Sequence, residues 1–188
     1  MGAKERLIEA TQDLLWDRGY TGTSPKAIQR QADAGQGSMY HHFDGKHELA
    51  RAAIVRSAEQ LKAEAEQAFA AEGSAAGKIG AYLTRQRDVL RGCRIGRLAA
   101  DPDVIAAADL REPLLATFRW LEDRLAGLIE DGQAAGEFAA QLDPATVAAA
   151  IVATVQGGYV LARAAAEPEQ FDRAMQGLMA LIGIRSAA

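Results

Sequence analysis

SPKAIQRQADAGQGSMYHHFDGKHE, residues 24–48, is the stretch on which the reading of this chain turns. The Ser24 hydroxyl can accept a free backbone N–H at a helix start, and Pro25 suits the first helical position, where a missing N–H costs nothing. This pair predicts a helix from Pro25 to Ala32. Asp33-Ala34-Gly35 breaks it, because a short polar side chain and a glycine enter turn conformations that bulky residues resist. A second helix then runs from Gln36 to His42, carrying Gln36, Ser38, Tyr40, His41 and His42, all able to hydrogen-bond. So short a helix has too little apolar surface to hold itself, and Ile28, Met39 and Phe43 must pin it to a small core. A polar probe held rigidly after a tight break is what a helix-turn-helix presents to DNA.

Outward from this stretch the pattern stays helical. Upstream, Lys4 to Arg18 spaces Leu7, Thr11 and Leu14, with Ile8 and Leu15 beside them, as an amphipathic helix. Gly19 ends it in a left-handed conformation, Tyr20 folds the chain back, and Trp16 is a packing residue. Downstream, a long helix from Lys46 to about Ala71 carries the stripe Ile54, Ala58, Leu61, Ala65 and Phe69. Glu72 to Gly77 is a small-residue hinge before a helix in which Ile79, Leu83, Gln86 and Leu90 recur. Gly92 to Asp101 reads as a short helix between turns, followed by Pro102. Asp109 is placed to cap a long helix with Leu114, Phe118, Leu121, Leu125 and Leu128 on its core face. Trp120 lies off that face with Thr117 and Arg124, where it either lines a pocket or packs at an edge. Gly132 to Leu142 reads as a turn region. Asp143-Pro144 opens the next helix, with Val147, Ile151, Val155, Gly158 and Leu161 facing one way. Its paired glycines in Gln156-Gly157-Gly158-Tyr159 cost helix stability, which close approach by another helix or a ligand would offset. Pro168 opens the last helix, with Phe171, Met175, Leu178, Met179 and Ile182. The expected fold is all-α, about nine helices: an N-terminal three-helix domain, residues 1–45, joined by the long helix to a second helical domain, residues 46–188.

Composition agrees with that class. The chain has 188 residues, and 49% hydrophobic content is enough for a sizeable core. Neither a secretory leader nor an uninterrupted apolar stretch long enough to span a bilayer is evident, so no membrane partner is expected. One cysteine, Cys93, cannot form an internal disulfide, which suits a reducing cytoplasm. An accessible Cys93 thiolate could sense oxidants or electrophiles, but an inert, partly buried thiol is the favoured reading, since no second cysteine can resolve an oxidised one. The formal net charge is −4, and residues 1–50 hold six lysines and arginines against seven acids. A nucleic-acid binder ordinarily shows a basic footprint. Placement counts instead: Lys26, Arg30 and Lys46 lie beside the probe, and backbone N–H groups at helix starts can meet phosphates.

Catalytic and cofactor signatures are missing from the sequence. His41, His42 and His47 lack a metal-binding frame, because adjacent residues on a helix point about 100° apart and no HExxH or cysteine pair accompanies them. No P-loop, G-x-S-x-G or dinucleotide turn occurs, and Asp101 and Asp103 show no acid/base partner. The chain is therefore expected not to be an enzyme and to need neither cofactor nor metal.

The segment GTSPKAIQRQADAGQGSMYHHFDGKHELARAA resembles the DNA-binding signature of the TetR family of transcriptional regulators. The matching residues are Gly19-Tyr20, Ile28, Ala32, Gly37 to Phe43, Lys46 and Leu49. GSMYHHF followed by GK is most similar to the LmrA/YxaF-like branch, and Gly92-Cys93-Arg94-Ile95-Gly96-Arg97-Leu98-Ala99 resembles that branch's ligand domain. The resemblance implies a homodimeric, ligand-responsive repressor of double-stranded operator DNA, paired through its last two helices. Ser24, Lys26, Gln36, Gly37, Ser38, Tyr40, His41, His42 and Lys46 would meet DNA, with Gln36 and Ser38 reading bases and Tyr40, His41 and Lys46 meeting phosphates. Two features depart from the family pattern: Gln36 stands where lysine is common, and Asp33 where glycine is usual. A small, largely apolar effector would bind in the second domain near Tyr82, Gln86, Trp120, Gln156 and Tyr159, polar or aromatic groups on otherwise apolar helices. A helical small-molecule-binding protein that no longer binds DNA is the alternative, favoured by the acidic N-terminal third. A helical enzyme with a buried site is a more distant rival, and neither explains the spacing of Tyr40, Phe43 and Lys46.

Overall fold

The computed structural model describes residues 2–184. Within them the chain is all-α. In order, the helices are α1 (Ala3–Arg18), α2 (Pro25–Gln31), α3 (Gln36–His42), α4 (Lys46–Phe69), α5 (Ala75–Thr84), a 3-10 turn (Gly96–Ala100), α6 (Pro102–Ala106), α7 (Ala108–Ala134), α8 (Pro144–Ala165) and α9 (Glu169–Leu181). Two compact units form, each from separate pieces of chain: Met1–Gln60 with Cys93–Ala116, and Leu61–Gly92 with Thr117–Ala188. Helices α4 and α7 each contribute to both.

The first unit packs α1 against α2 and α3, burying Leu7, Leu14, Ile28, Met39, Phe43, Leu49 and Ile54. One polar group crosses this core with its hydrogen bonds satisfied: the Gln12 amide donates to the Ser57 hydroxyl at 2.9 Å and to Gln60 Oε1 at 2.8 Å. Chain returning at Cys93–Ala116 adds Ile95, Leu98, Val104 and Leu110 to the buried set.

The second unit is built on the α8–α9 pair, with α5 also against α9. Gly158 allows that pairing, since a Cβ there would stand 2.9 Å from the Phe171 ring. The predicted close approach is thus by a helix. Gly157, one residue earlier, faces open space.

Several expectations shift. Gly19 has φ 72 and ψ −178, a positive-φ conformation outside the left-handed helical well. Helix α5 stops at Thr84, so Gln86 and Leu90 lie beyond it; the cause is Arg87, whose guanidinium Nη1 donates to Leu83 O at 2.8 Å and whose Nη2 reaches Tyr82 O. These carbonyls would have accepted from the next turn of helix, and a side chain occupies them instead. Asp109 lies inside the first turn of α7 with its carboxylate on His47, so it is not a cap. Helix α7 runs on to Ala134, past the expected break at Gly132, and carries Pro113 inside it. Leu161 is exposed, unlike the rest of its expected stripe. Finally, α8 is a 22-residue helix containing an 18-residue window of mean hydropathy 1.6, which makes it long and apolar enough to cross a bilayer by composition. Alanine and valine raise that average on every side of the helix, although only a third of the window is buried.

Two glycines of α7 give a paired test. A Cβ at Gly132 would enter the Phe138 ring and come 3.1 Å from the Ala75 Cβ, whereas one at Gly127 meets nothing. Gly132→Ala should lower stability by about 1–3 kcal/mol, and Gly127→Ala should raise it by up to ~1 kcal/mol, as read from urea midpoints.

Candidate functional site

The surface around α2 and α3 follows the expected plan. Ser24 Oγ accepts from the Ala27 N–H at 3.2 Å, which fixes the start of α2. Asp33 takes φ 45, a left-handed conformation that costs an L residue energy though aspartate less than most. Arg6 of α1 holds the break from beneath, with Nε donating to Ala32 O at 2.9 Å and Nη2 to Asp33 O at 3.2 Å. Met39 is fully buried and Phe43 nearly so, so α3 is anchored by its underside. Its outer side presents Gln36, Gly37, Tyr40 and His41 to solvent, with Ser38 and His42 half-buried. Tyr40 is 50% exposed, large for an aromatic ring with no core role. Ser24 and Lys26 are exposed beside an open groove of about 750 Å³, lined also by Arg18, Arg30 and Asp33. Arg18, Lys26 and Arg30 give this groove a basic wall that the net charge of the segment conceals.

Lys46, at the start of α4, places its Nζ 3.9 Å from the centre of the Tyr20 ring. Burial holds its ammonium below the ordinary lysine range, against the opposing pull of Asp103 and Asp101. Tyr20 is set in turn by residues far along the chain. Asp101 Oδ2 accepts from the N–H groups of Tyr20 at 2.7 Å and Thr21 at 3.2 Å, while Oδ1 accepts from Asp103 N–H at 3.1 Å to cap α6. Gly19 is needed here twice, for its positive φ and because a Cβ would stand 2.9 Å from Asp101 Oδ2. Arg97 reaches Trp16 O, and the Arg94 guanidinium lies 4.1 Å from the Trp16 ring centre. His47 bonds Asp109 at 2.8 Å, and that bond is the main reason the Asp109 carboxyl sits below its ordinary value. Among the described residues no group of three or more His, Cys, Asp or Glu side chains is placed to hold a metal ion. Cys93 is buried, and its sulfur accepts from the Gly96 N–H at 3.2 Å.

In the second unit, three of the five suggested effector residues converge. Tyr82 is buried, its ring 5.0 Å from Phe69, which lies 6.3 Å from Trp120. Tyr159 lies 4.7 Å from Phe171. Arg87 joins the two groups, with its guanidinium carbon 5.3 Å from the centres of both the Tyr82 and Phe171 rings. Gln156 is half-buried on α8, and Gln86 is exposed beyond the end of α5. Thr117 is fully buried, and Arg124 makes a two-bond ion pair with Glu66 at 3.0 and 2.6 Å.

Comparison with known proteins gives this arrangement its relatives. Residues 7–53 match the model of bacterial regulatory proteins of the tetR family, and residues 79–178 match the tetracyclin repressor-like C-terminal domain. The chain belongs to the TetR family. An uncharacterized HTH-type regulator from the lacX 3' region of Lactococcus lactis is 28% identical over 165 residues, covering 84% of this chain and 82% of the relative. LmrA of Bacillus subtilis is also 28% identical, over 117 residues, 58% of this chain and 62% of its own length. A TetR transcriptional regulator from Chloroflexus aurantiacus superposes with a TM-score of 0.83 at 26% identity, covering 96% of this chain and 93% of the other.

Within this TetR-family chain, the residues that sequence reasoning missed are Arg6, Asp101 and Arg87. Arg6 and Asp101 act across 26 and 81 residues of chain, and nothing local announces such partners. Arg87 had a signal, since arginine just past a helix end commonly bonds its last carbonyls. Asp101→Ala removes a helix cap and the acceptor for two loop N–H groups. It should lower stability by roughly 1–3 kcal/mol and speed hydrogen exchange at Tyr20 and Thr21, which amide exchange by NMR would resolve.

Proposed function

We propose that this chain is a homodimeric, ligand-responsive repressor that binds a palindromic operator and is released by a small molecule. The observation carrying it is the buried underside and exposed polar outer face of α3. Residues 1–45 form the reading domain, and residues 46–188 bind the effector and dimerise. Helix α3 enters the major groove, where Gln36 and Ser38 meet base edges and the open Gly37 lets backbone approach. Ser24, Lys26, Tyr40, His41, His42 and Lys46 meet phosphates and fix the register. The GSMYHHF and GCRIG motifs favour the LmrA/YxaF-like branch; overall identity does not separate LmrA from the Lactococcus relative.

Dimerisation through α8 and α9 is supported by what those helices leave uncovered. Ala149, Ala153, Gly157, Val160 and Leu161 are exposed along α8, as are Gly177, Ala180 and Leu181 along α9. Leu181 is 86% and Val160 67% exposed, more than an unpartnered surface favours. Two protomers facing through these stripes would bury them in a four-helix bundle. Their two probes would then read half-sites roughly 34–36 Å apart or a multiple of it. The effector must bind the DNA-released form more tightly than the DNA-competent form, since equal affinity shifts nothing.

Selection from a random DNA pool at low salt should enrich a palindrome that Tyr40→Ala and Lys46→Ala both abolish. A folded dimer that enriches no sequence would instead favour a small-molecule-binding protein without DNA binding. With few cationic contacts, the salt slope should be shallow, about 0.9 per phosphate neutralised. Leu161→Glu should convert the dimer to a monomer in sedimentation velocity with helix content unchanged; a variant that remains dimeric would place the subunit contact elsewhere.

A further inference from the structure

Arg87 carries a half-buried guanidinium that meets no carboxylate among the described residues. The charged and polarisable groups acting on its guanidinium are Tyr159, Arg85 and Tyr82, and no carboxylate is among them. Its neighbour Arg85 differs, because Glu64 lies 3.2 Å from Arg85 Nη1. Three backbone carbonyls, of Tyr82, Leu83 and Arg85, accept from the Nη1 and Nη2 groups of Arg87. The rings of Tyr82 and Phe171 add their electron-rich faces. These contacts leave Nε: it is buried and donates to no acceptor, as is the Nε of Arg85. Buried guanidinium N–H groups without acceptors are costly and uncommon.

The unpaired edge has a defined chemistry. Side by side, Nε–H and Nη2–H form the fork that matches the two oxygens of a carboxylate. This chain uses that fork elsewhere: Arg124 grips Glu66 through Nε at 3.0 Å and Nη2 at 2.6 Å. At Arg87, Nη2 meets the Tyr82 carbonyl and the Tyr82 side chain also bonds the guanidinium, but Nε keeps no acceptor, among aromatic side chains instead of acids. We propose that Arg87 is the anchor of a carboxylate-binding site, taking a small carboxylate with an apolar body that packs among Tyr82, Tyr159 and Phe171. The site deepens the effector reading given above and rests on it only in treating the bound acid as an effector. Because the Nε of Arg87 is enclosed, binding must part the surrounding side chains. The bound form therefore differs from the closed one, which is the differential a releasing ligand requires.

Thermal unfolding of the full chain in sodium butanoate and sodium benzoate, against sodium chloride at equal ionic strength and against butanamide and benzamide, tests the site. At saturating concentrations at least one of the two carboxylates should raise the Tm by roughly 3–5 °C, and the neutral amides should leave it unchanged. Arg87→Gln should abolish the rise. Arg87→Lys keeps a cation at the end of α5 but lacks the fork, so it should preserve the fold while weakening carboxylate binding about tenfold or more. Equal Tm values in chloride and in both carboxylates, or a rise that survives in Arg87→Gln or is undiminished in Arg87→Lys, would overturn the proposal. No DNA enters this measurement. A chain that binds carboxylates but selects no operator would keep the site and lose the repressor reading, and the reverse result would do the opposite.

Discussion

Burial of Met39 beneath α3 is the contact on which the proposed reading surface depends. A seven-residue helix cannot persist in water by itself, since nucleation costs more than so few backbone bonds return. Met39 and Phe43 are buried where α3 packs on α1 and α2, and Arg6 clamps the break in front of it. Everything polar on α3 is thereby left to face outward. The strained Asp33 is tolerable under the same restraint: with the carbonyl before it and its own carbonyl both bonded to Arg6, the entry to the turn has little freedom to relax.

The second unit solves a different problem. Its helices are rich in alanine and glycine, so they bring backbones close but offer little side-chain volume, and aromatic rings supply the filling. Phe171 beside Gly158, Phe138 beside Gly132, and the Phe69–Tyr82 pair all follow this pattern. Such packing is sensitive to a single added methyl group where a glycine meets a ring. It also creates the apolar, aromatic surroundings in which a lone guanidinium is most exposed to the cost of its own charge.

Much of this was legible from the sequence, and the reasons are local. Ser24-Pro25 and Asp143-Pro144 mark helix starts through chemistry confined to three or four residues, and the observed caps use those side chains. The same applies to the anchoring trio Ile28, Met39 and Phe43, whose burial follows from spacing around a short polar helix. Expectations failed where a distant or competing partner decided the outcome. Gln86 continued a helical repeat that Arg87 terminates, and Asp109, suited to capping by type and position, is engaged by His47. Leu161 kept the period of α8 but falls where the covered face runs out. Periodicity gives the helix but cannot say how far along it a neighbour reaches.

The union of Met1–Gln60 with Cys93–Ala116 in one compact unit bears on the order in which the chain can fold. The N-terminal helices leave the ribosome first, but the carboxylate that organises Gly19 to Thr21 belongs to Asp101. At typical synthesis speeds of about 5–20 residues per second, that partner follows the end of the first segment by several seconds. Closing so long a loop also carries an entropic cost that local helix formation does not. The nascent helix-turn-helix must therefore wait, with its lower surface incomplete, for chain made only after the whole of the second unit's first segment, Leu61–Gly92. Full rigidity of the reading head is a property of the finished chain, acquired late, and a ribosome-bound fragment ending near residue 60 would lack it.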